Sequence, residues 1–288
     1  MNKNTNAETR VAEGYDIPAV EAWISENTDY FEPPFIWTRL EGGHSNLTYR
    51  LEDSSGKKAV IRRPPMGELL PKAHDMNREW SLIAAFAPHG FPVPEPIGFC
   101  DDLSVTGALF YIMGFAGGRP LFKVEDTLEW VPEHQRTTLA YSFIDTLADM
   151  HVLDPDAIGL TSLGKKEDYI GRQIKAWYRS WVASVDYAEL DDPRTHEFKD
   201  YFLENQPAQV TASVVHGDYY LHNCLFSSDS NVSAVLDWEL ATLGDPLADL
   251  GYTLRAWPEE ENDPYLEPTA PTAVPGLPLR AELAQRYA

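Results

Sequence analysis

Three oxygen-bearing side chains in the second half of this 288-residue chain stand at spacings suited to phosphoryl transfer. His216-Gly217-Asp218-Tyr219-Tyr220-Leu221-His222-Asn223 places a carboxylate and an amide on one short segment, and Val235-Leu236-Asp237-Trp238-Glu239 follows with a second carboxylate. A γ-phosphoryl group asks little covalent help of a protein, but its charge must be neutralised and the attacking hydroxyl aimed and relieved of a proton. Asp218 suits the hydroxyl. Asn223 and Asp237 offer hard oxygen ligands of the kind Mg²⁺ accepts while it keeps waters and substrate phosphates.

The elements that must position these groups are short strands. Ser213–Val215 and Cys224–Phe226 read as a pair around the first segment, and Val232 to Leu236 as a third strand delivering Asp237. His216, Asp218, His222 and Cys224 would also allow a zinc cluster, although Cys224 beside Leu225 and Phe226 reads as core. Further on, Asp245 is an N-cap candidate with Pro246 in the first turn of a helix. In the amino-terminal part, Phe35–Leu40 and Leu47–Leu51 read as strands around Glu41–Asn46, where Gly42 and Gly43, with His44 and Ser45, would let backbone amides approach phosphate. Ala59–Arg62 forms the next strand, and Asp75 to Phe86 a helix bearing Glu79. Leu109–Met113 is an apolar strand broken by the glycines of 114–118, which suits a hinge.

With those residues in view, the chain resembles the aminoglycoside phosphotransferase family in its broad sense, which also contains choline and methylthioribose kinases. H-G-D-x-x-x-x-N stands where protein kinases have H-R-D-x-x-x-x-N, and Asp237-Trp238-Glu239 looks like the D-x-E variant of small-molecule kinases rather than D-F-G, which implies Glu239 as a lesser metal candidate than Asp237. Gly244-Asp245-Pro246-Leu247-Ala248-Asp249-Leu250-Gly251 resembles the family helix that buttresses the catalytic loop, which implies structural roles for Asp249 and His216. Arg62-Arg63-Pro64-Pro65 resembles the subgroup found fused to, or beside, acyl-CoA dehydrogenases. The likeness runs from about Phe31 to the chain end. It implies an α+β, bilobal, protein-kinase-like fold: a helix or extension at 1–30, an antiparallel-sheet amino-terminal lobe with one main helix at 31–113, a hinge at 114–120, and a mainly helical lobe at 121–288. It also implies ATP and Mg²⁺ as cofactors. Arg62, where most kinases have lysine, would face phosphates and pair with Glu79, while Met113 and Phe115 would flank the base. Arginine's planar fork is not equivalent to a lysine point charge.

Composition narrows the partners. The formal net charge is −22, with sixteen acids against eleven bases in residues 1–119 and the remaining −17 in residues 120–288. Such a surface argues against nucleic acid and anionic membranes, which attract basic patches, and is compatible with a polycationic acceptor. Met1 to Gly14 lacks the apolar core of a signal peptide and no run is long enough to cross a bilayer; with only Cys100 and Cys224, a cytoplasmic setting is the expectation. One feature opposes the cation reading. The helix expected over Glu167–Trp181 carries Arg172, Lys175 and Arg179 at helical spacing, opposite Ile170, Ile174, Trp177 and Trp181. That stripe could meet a phosphate-bearing acyl-CoA.

Pro132 to Leu153 should be the long central helix, with Leu139, Phe143, Leu147 and Met150 as its core face. Trp257 to Pro278 should be irregular, and Leu279–Ala288 a short helix with Leu279, Leu283 and Tyr287 on one face. Because related phosphotransferases continue into further helices, the expectation is a carboxy-terminally incomplete lobe with an open acceptor side. The reaction expected is ATP-dependent transfer to a small-molecule hydroxyl, of a hydroxyacyl-CoA, or alternatively of an aminoglycoside or amino alcohol. A non-catalytic pseudokinase or nucleotide-binding module is the alternative of another class.

Overall fold

The computed structural model describes residues 11–40, 46–67, 75–261 and 263–288. These divide into two compact units, one within Met1–Gly117 and Ser233–Glu239, the other Gly118–Val232 with Leu240–Ala288. Among the described residues no helix is long and apolar enough to cross a membrane.

The first unit opens with α1 (Ile17–Asn27), started by the Asp16 side chain, which accepts the Ala19 N–H, and by a proline in its first turn. Next come β1 (Ile36–Arg39), β2 (Leu47–Glu52), β3 (Lys58–Arg63), α2 (Met76–Phe86), β4 (Pro96–Cys100), α3 (Leu103–Thr106) and β5 (Phe110–Gly114). The strands make one antiparallel sheet in the order β1-β2-β3-β5-β4. Strand β2 alternates, burying Leu47, Tyr49 and Leu51, whereas every residue of β5 is buried, so both faces of that strand are covered. Helix α1, in the stretch expected as a helix or extension, puts Val20 and Ile24 into the same core as Phe35, Leu51, Ile61, Phe110 and Ile112. On α2, Glu79 shares the buried face of Leu82, Ile83 and Phe86, so the fold forces a carboxylate inward.

The second unit is mainly helical: α4 (Val124–Trp130), α5 (Arg136–Val152), α6 (Tyr169–Ala188), α7 (Pro193–Glu204), then the strands β6 (Ser213–Val215), β7 (Cys224–Phe226), the start of β8 (Val232–Val235) and β9 (Thr242–Gly244), and finally α8 (Leu247–Leu254) and α9 (Arg280–Tyr287). Helix α5 buries Leu139, Phe143, Leu147 and Met150 as its stripe requires, but a 3₁₀ turn over Glu133–Gln135 delays its start. Strand β6 does not pair with β7 as expected. It pairs antiparallel with β9, Ser213 opposite Gly244 and Val215 opposite Thr242, a partner too short to announce itself in sequence.

Helix α6 is longer than expected and buries only Tyr169 and Gly171. Trp177, expected on the apolar side of this helix, is 70% exposed, while Tyr178 and Trp181 pack on His196 of α7. Residues 257–278 lack helix or strand where described, and are held by hydrogen bonds such as Thr127 Oγ1 to the Pro271 carbonyl at 2.7 Å and Arg136 to the Pro275 carbonyl at 2.7 Å. Helix α9 packs on α5, burying Leu283 completely and leaving Leu279, at its N-cap, 38% exposed. Arg286 grips Asp145 with two bonds of 2.7 and 2.6 Å.

Candidate active site

In the first unit, Arg62 stands opposite Thr48 on β2 and Tyr111 on β5. Its Nε lies 3.2 Å from Glu79 Oε2 and its Nη2 3.2 Å from Asp237 Oδ1. The other partners of Glu79 are the buried Tyr111 hydroxyl, which donates at 2.7 Å, and the Asn46 amide, which donates at 3.3 Å. Burial works against the Arg62 charge, but Tyr111, Glu79 and Asp237 together outweigh it and hold the guanidinium protonated. Burial also pushes the Glu79 carboxyl up, opposed by Arg62 and the Tyr111 hydroxyl. A cation so held is a fixed positive point on the inner sheet.

Asp237 lies beyond β8 with φ 64°, a left-handed backbone costing a non-glycine residue about 1 kcal/mol or more. Its neighbour Trp238 is buried against Phe86 and Phe91, ring centroids 5.1 and 6.2 Å away, and so anchors the turn that aims the Asp237 carboxylate at Arg62. Glu239, in the next 3₁₀ turn, is half-buried and close enough to Glu79 for their charges to interact. Met113 is buried in β5, and Phe115, just past the strand, is 43% exposed. Gly42, Gly43, His44 and Ser45 lie outside the described residues.

In the second unit the Asp218 loop is held by α8. Asp249, 1% exposed, accepts the backbone N–H groups of His216 and Gly217 at 2.6 and 2.9 Å. Gly217 has φ 84°, and a Cβ there would meet the Leu240 backbone oxygen at 3.1 Å, so glycine is required between the histidine and the aspartate. His216 is fully buried, and its Nδ1 accepts the Asp218 N–H at 3.3 Å. Asn223 donates through Nδ2 to both the Asp218 carbonyl and Asp218 Oδ2, each at 2.9 Å. The Tyr252 hydroxyl donates to Asp218 Oδ1 at 2.5 Å, and His222 Nε2 lies 3.7 Å from Oδ2. Burial works to raise the Asp218 pKa, but His222, Tyr252 and Asn223 outweigh it and keep the carboxylate ionised at neutral pH. Cys224 is buried, and burial pushes its thiol far up, the wrong state for a metal ligand.

The basic helix is less uniform than its spacing. Arg172 Nη2 donates to the Lys165 carbonyl at 2.6 Å and lies 3.4 Å from the Leu243 carbonyl, so this residue straps α6 to neighbouring backbone. Lys175 is 3.6 Å from Asp168, and both Lys175 and Arg179 are exposed. Tyr111, Asn46, Tyr252 and His151 did not stand out in the sequence. Two of them had a signal: Tyr252 lies three residues after Asp249 on one helix face, and Tyr111 is the residue that antiparallel pairing sets against Arg62.

An antiparallel sheet carrying a buried Arg–Glu pair, with a helical unit carrying an H-G-D-x-x-x-x-N loop, defines a small-molecule phosphotransferase of the protein-kinase-like fold with a hydroxyl acceptor. A model of the phosphotransferase enzyme family matches residues 36–283, and the chain belongs to that family. Acyl-CoA dehydrogenase family member 11 of Gallus gallus is 38% identical over 228 residues, 78% of this chain and 28% of that protein. Its Homo sapiens counterpart is 31% identical over 281 residues, 95% of this chain and 35% of that protein. The chain thus spans about a third of the length of the curated relatives it matches. Among solved structures, a candidate aminoglycoside phosphotransferase from Ralstonia eutropha superposes with a TM-score of 0.77 at 32% identity, covering 95% of this chain and 79% of that one. Choline kinase from Cryptosporidium parvum shares the fold, with a TM-score of 0.65 at 14% identity over 94% of this chain and 77% of that one.

The Arg62 cluster makes a stability prediction. Glu79→Ala leaves a buried guanidinium short of its main partner and should cost about 3–5 kcal/mol, whereas Tyr111→Phe removes one hydrogen bond to a charged group and should cost about 1.5–3 kcal/mol. Urea unfolding measures both, and equal midpoints for wild type and Glu79→Ala would contradict the pairing.

Proposed function

We propose that this chain transfers the γ-phosphoryl group of ATP, bound with Mg²⁺, to a small-molecule hydroxyl, and that the acceptor is a hydroxyacyl-CoA. The observation that carries the reading is Asp218, ionised, partly exposed and fixed at both carboxylate oxygens beside Asn223. Asp218 takes the proton of the acceptor hydroxyl as that oxygen bonds to the γ-phosphorus; the bond from phosphorus to the β,γ-bridging oxygen breaks, and ADP leaves with the electron pair. Arg62, held by Glu79, meets the nucleotide phosphates with a planar fork. Gly42, Gly43, His44 and Ser45 would supply backbone and side-chain donors to the phosphates, and Met113 and Phe115 would flank the base.

Asn223 and Asp237 would hold Mg²⁺, with Glu239 as a further oxygen ligand. Their chemistry fits: Asn223 spends its amide nitrogen on Asp218, which leaves its oxygen for a cation, and the hydrogen bond from Arg62 to Asp237 goes to one carboxylate oxygen. Bound metal would neutralise the charge developing on the transferred group.

The acyl-CoA reading draws on the exposed Lys175 and Arg179 of an otherwise acidic region, and on relatives that carry an acyl-CoA dehydrogenase name. Arg172, tied to carbonyls, adds charge there but has little freedom to move. The acid excess of residues 120–288 favours the second reading, a polycationic acceptor such as an aminoglycoside.

Two measurements follow. Asp218→Asn should lower turnover by about 10²–10⁴-fold while nucleotide affinity stays unchanged, and Asp237→Ala should abolish the Mg²⁺-dependent part of nucleotide binding; near-normal turnover in the first, or unchanged titration in the second, contradicts the assigned role. For the acceptor, Lys175→Glu with Arg179→Glu should raise KM for a hydroxyacyl-CoA and leave KM for ATP unaltered. Turnover of aminoglycosides but not of acyl-CoAs would select the second reading, and nucleotide binding without any turnover would mark a pseudokinase.

A further inference from the structure

Helix α8 contacts the loop at four consecutive residues. Asp249 takes the N–H groups of His216 and Gly217, Tyr252 donates to the Asp218 side chain, and Thr253 Oγ1 donates to the Tyr219 carbonyl at 2.6 Å. Positions 249, 252 and 253 share one helical face, so a single rigid element sets both the path of the loop and the direction of its carboxylate. Asp249 and Thr253 address backbone. Tyr252 alone among them touches the group that would meet the acceptor hydroxyl.

A carboxylate has about four lone-pair directions. Asn223 occupies one on Oδ2 and Tyr252 one on Oδ1, which restricts rotation about the Cβ–Cγ bond and narrows the directions left for an incoming hydroxyl. The tyrosine is itself braced. The Arg255 guanidinium sits 4.4 Å above its ring centroid, and Tyr220 packs against it with centroids 6.4 Å apart at 69°. The cation is attracted to the face of the ring and so holds the side chain in place. We propose that Tyr252 is a positioning residue that fixes the Asp218 carboxylate for attack by the acceptor hydroxyl, a role that rests on the reading of Asp218 as the proton acceptor.

The test is a double-mutant cycle of Asp218→Asn and Tyr252→Phe, with turnover expressed per nucleotide-binding site so that misfolded molecules drop out. Tyr252→Phe removes one oxygen atom. It should lower kcat by about ten- to a hundredfold, the worth of one hydrogen bond to a charged group, without changing KM for ATP, and should add nothing to the loss in Asp218→Asn, since groups acting as one unit are not additive. A full kcat in Tyr252→Phe beside an inactive Asp218→Asn, or losses that multiply, overturns the inference alone. Normal turnover in Asp218→Asn removes the proton acceptor and the role of Tyr252 with it.

Discussion

The buried carboxylate of Asp249 is the constraint on which the Asp218 loop depends. A charge taken out of water must find compensating donors or destabilise the fold. Asp249 finds them in the backbone N–H groups of His216 and Gly217, with His151 Nε2 3.4 Å from Oδ2. The bargain works in both directions: the loop satisfies the carboxylate, and the carboxylate stops the loop from relaxing. His151 in turn meets the Tyr287 hydroxyl through Nδ1 at 2.7 Å, so α9 braces the residue that braces Asp249. Gly217 is the sequence's concession to this geometry, because its left-handed backbone and the nearby Leu240 exclude a side chain.

The first unit solves a parallel problem with a buried cation. Sheet register sets Arg62 beside Tyr111, α2 brings Glu79, and the strained turn at Asp237 supplies a second carboxylate acceptor. Arginine fits this arrangement better than lysine would, since separate nitrogens of one planar group address Glu79 and Asp237. The bond to Asp237 also ties a candidate metal ligand to a candidate phosphate ligand, so a nucleotide held with a metal at these groups would have to redistribute contacts already made.

Much of this was legible in sequence where spacing is local. Asp218 and Asn223 lie on one loop, so five positions of sequence already fixed their proximity, and the core face of α5 followed from helical periodicity. Arg62 and Glu79 could be paired because a strand and the next helix read clearly. What escaped depends on contacts distant in sequence. The partner of β6 is a three-residue strand after Asp237, and nothing in Ser213–Val215 distinguishes it from β7. The basic stripe of α6 looked uniform because periodicity shows which residues share a face, not that Arg172 would be spent on the carbonyls of Lys165 and Leu243.

The most direct test of the account is the turnover of Asp249→Asn. Asparagine keeps the size of the side chain but replaces one acceptor oxygen with an NH₂ group that faces a backbone N–H. If the loop is functional because Asp249 holds it, the variant stays folded by far-UV circular dichroism and binds ATP, while phosphoryl transfer falls towards that of Asp218→Asn. A folded Asp249→Asn protein with wild-type turnover would contradict the account.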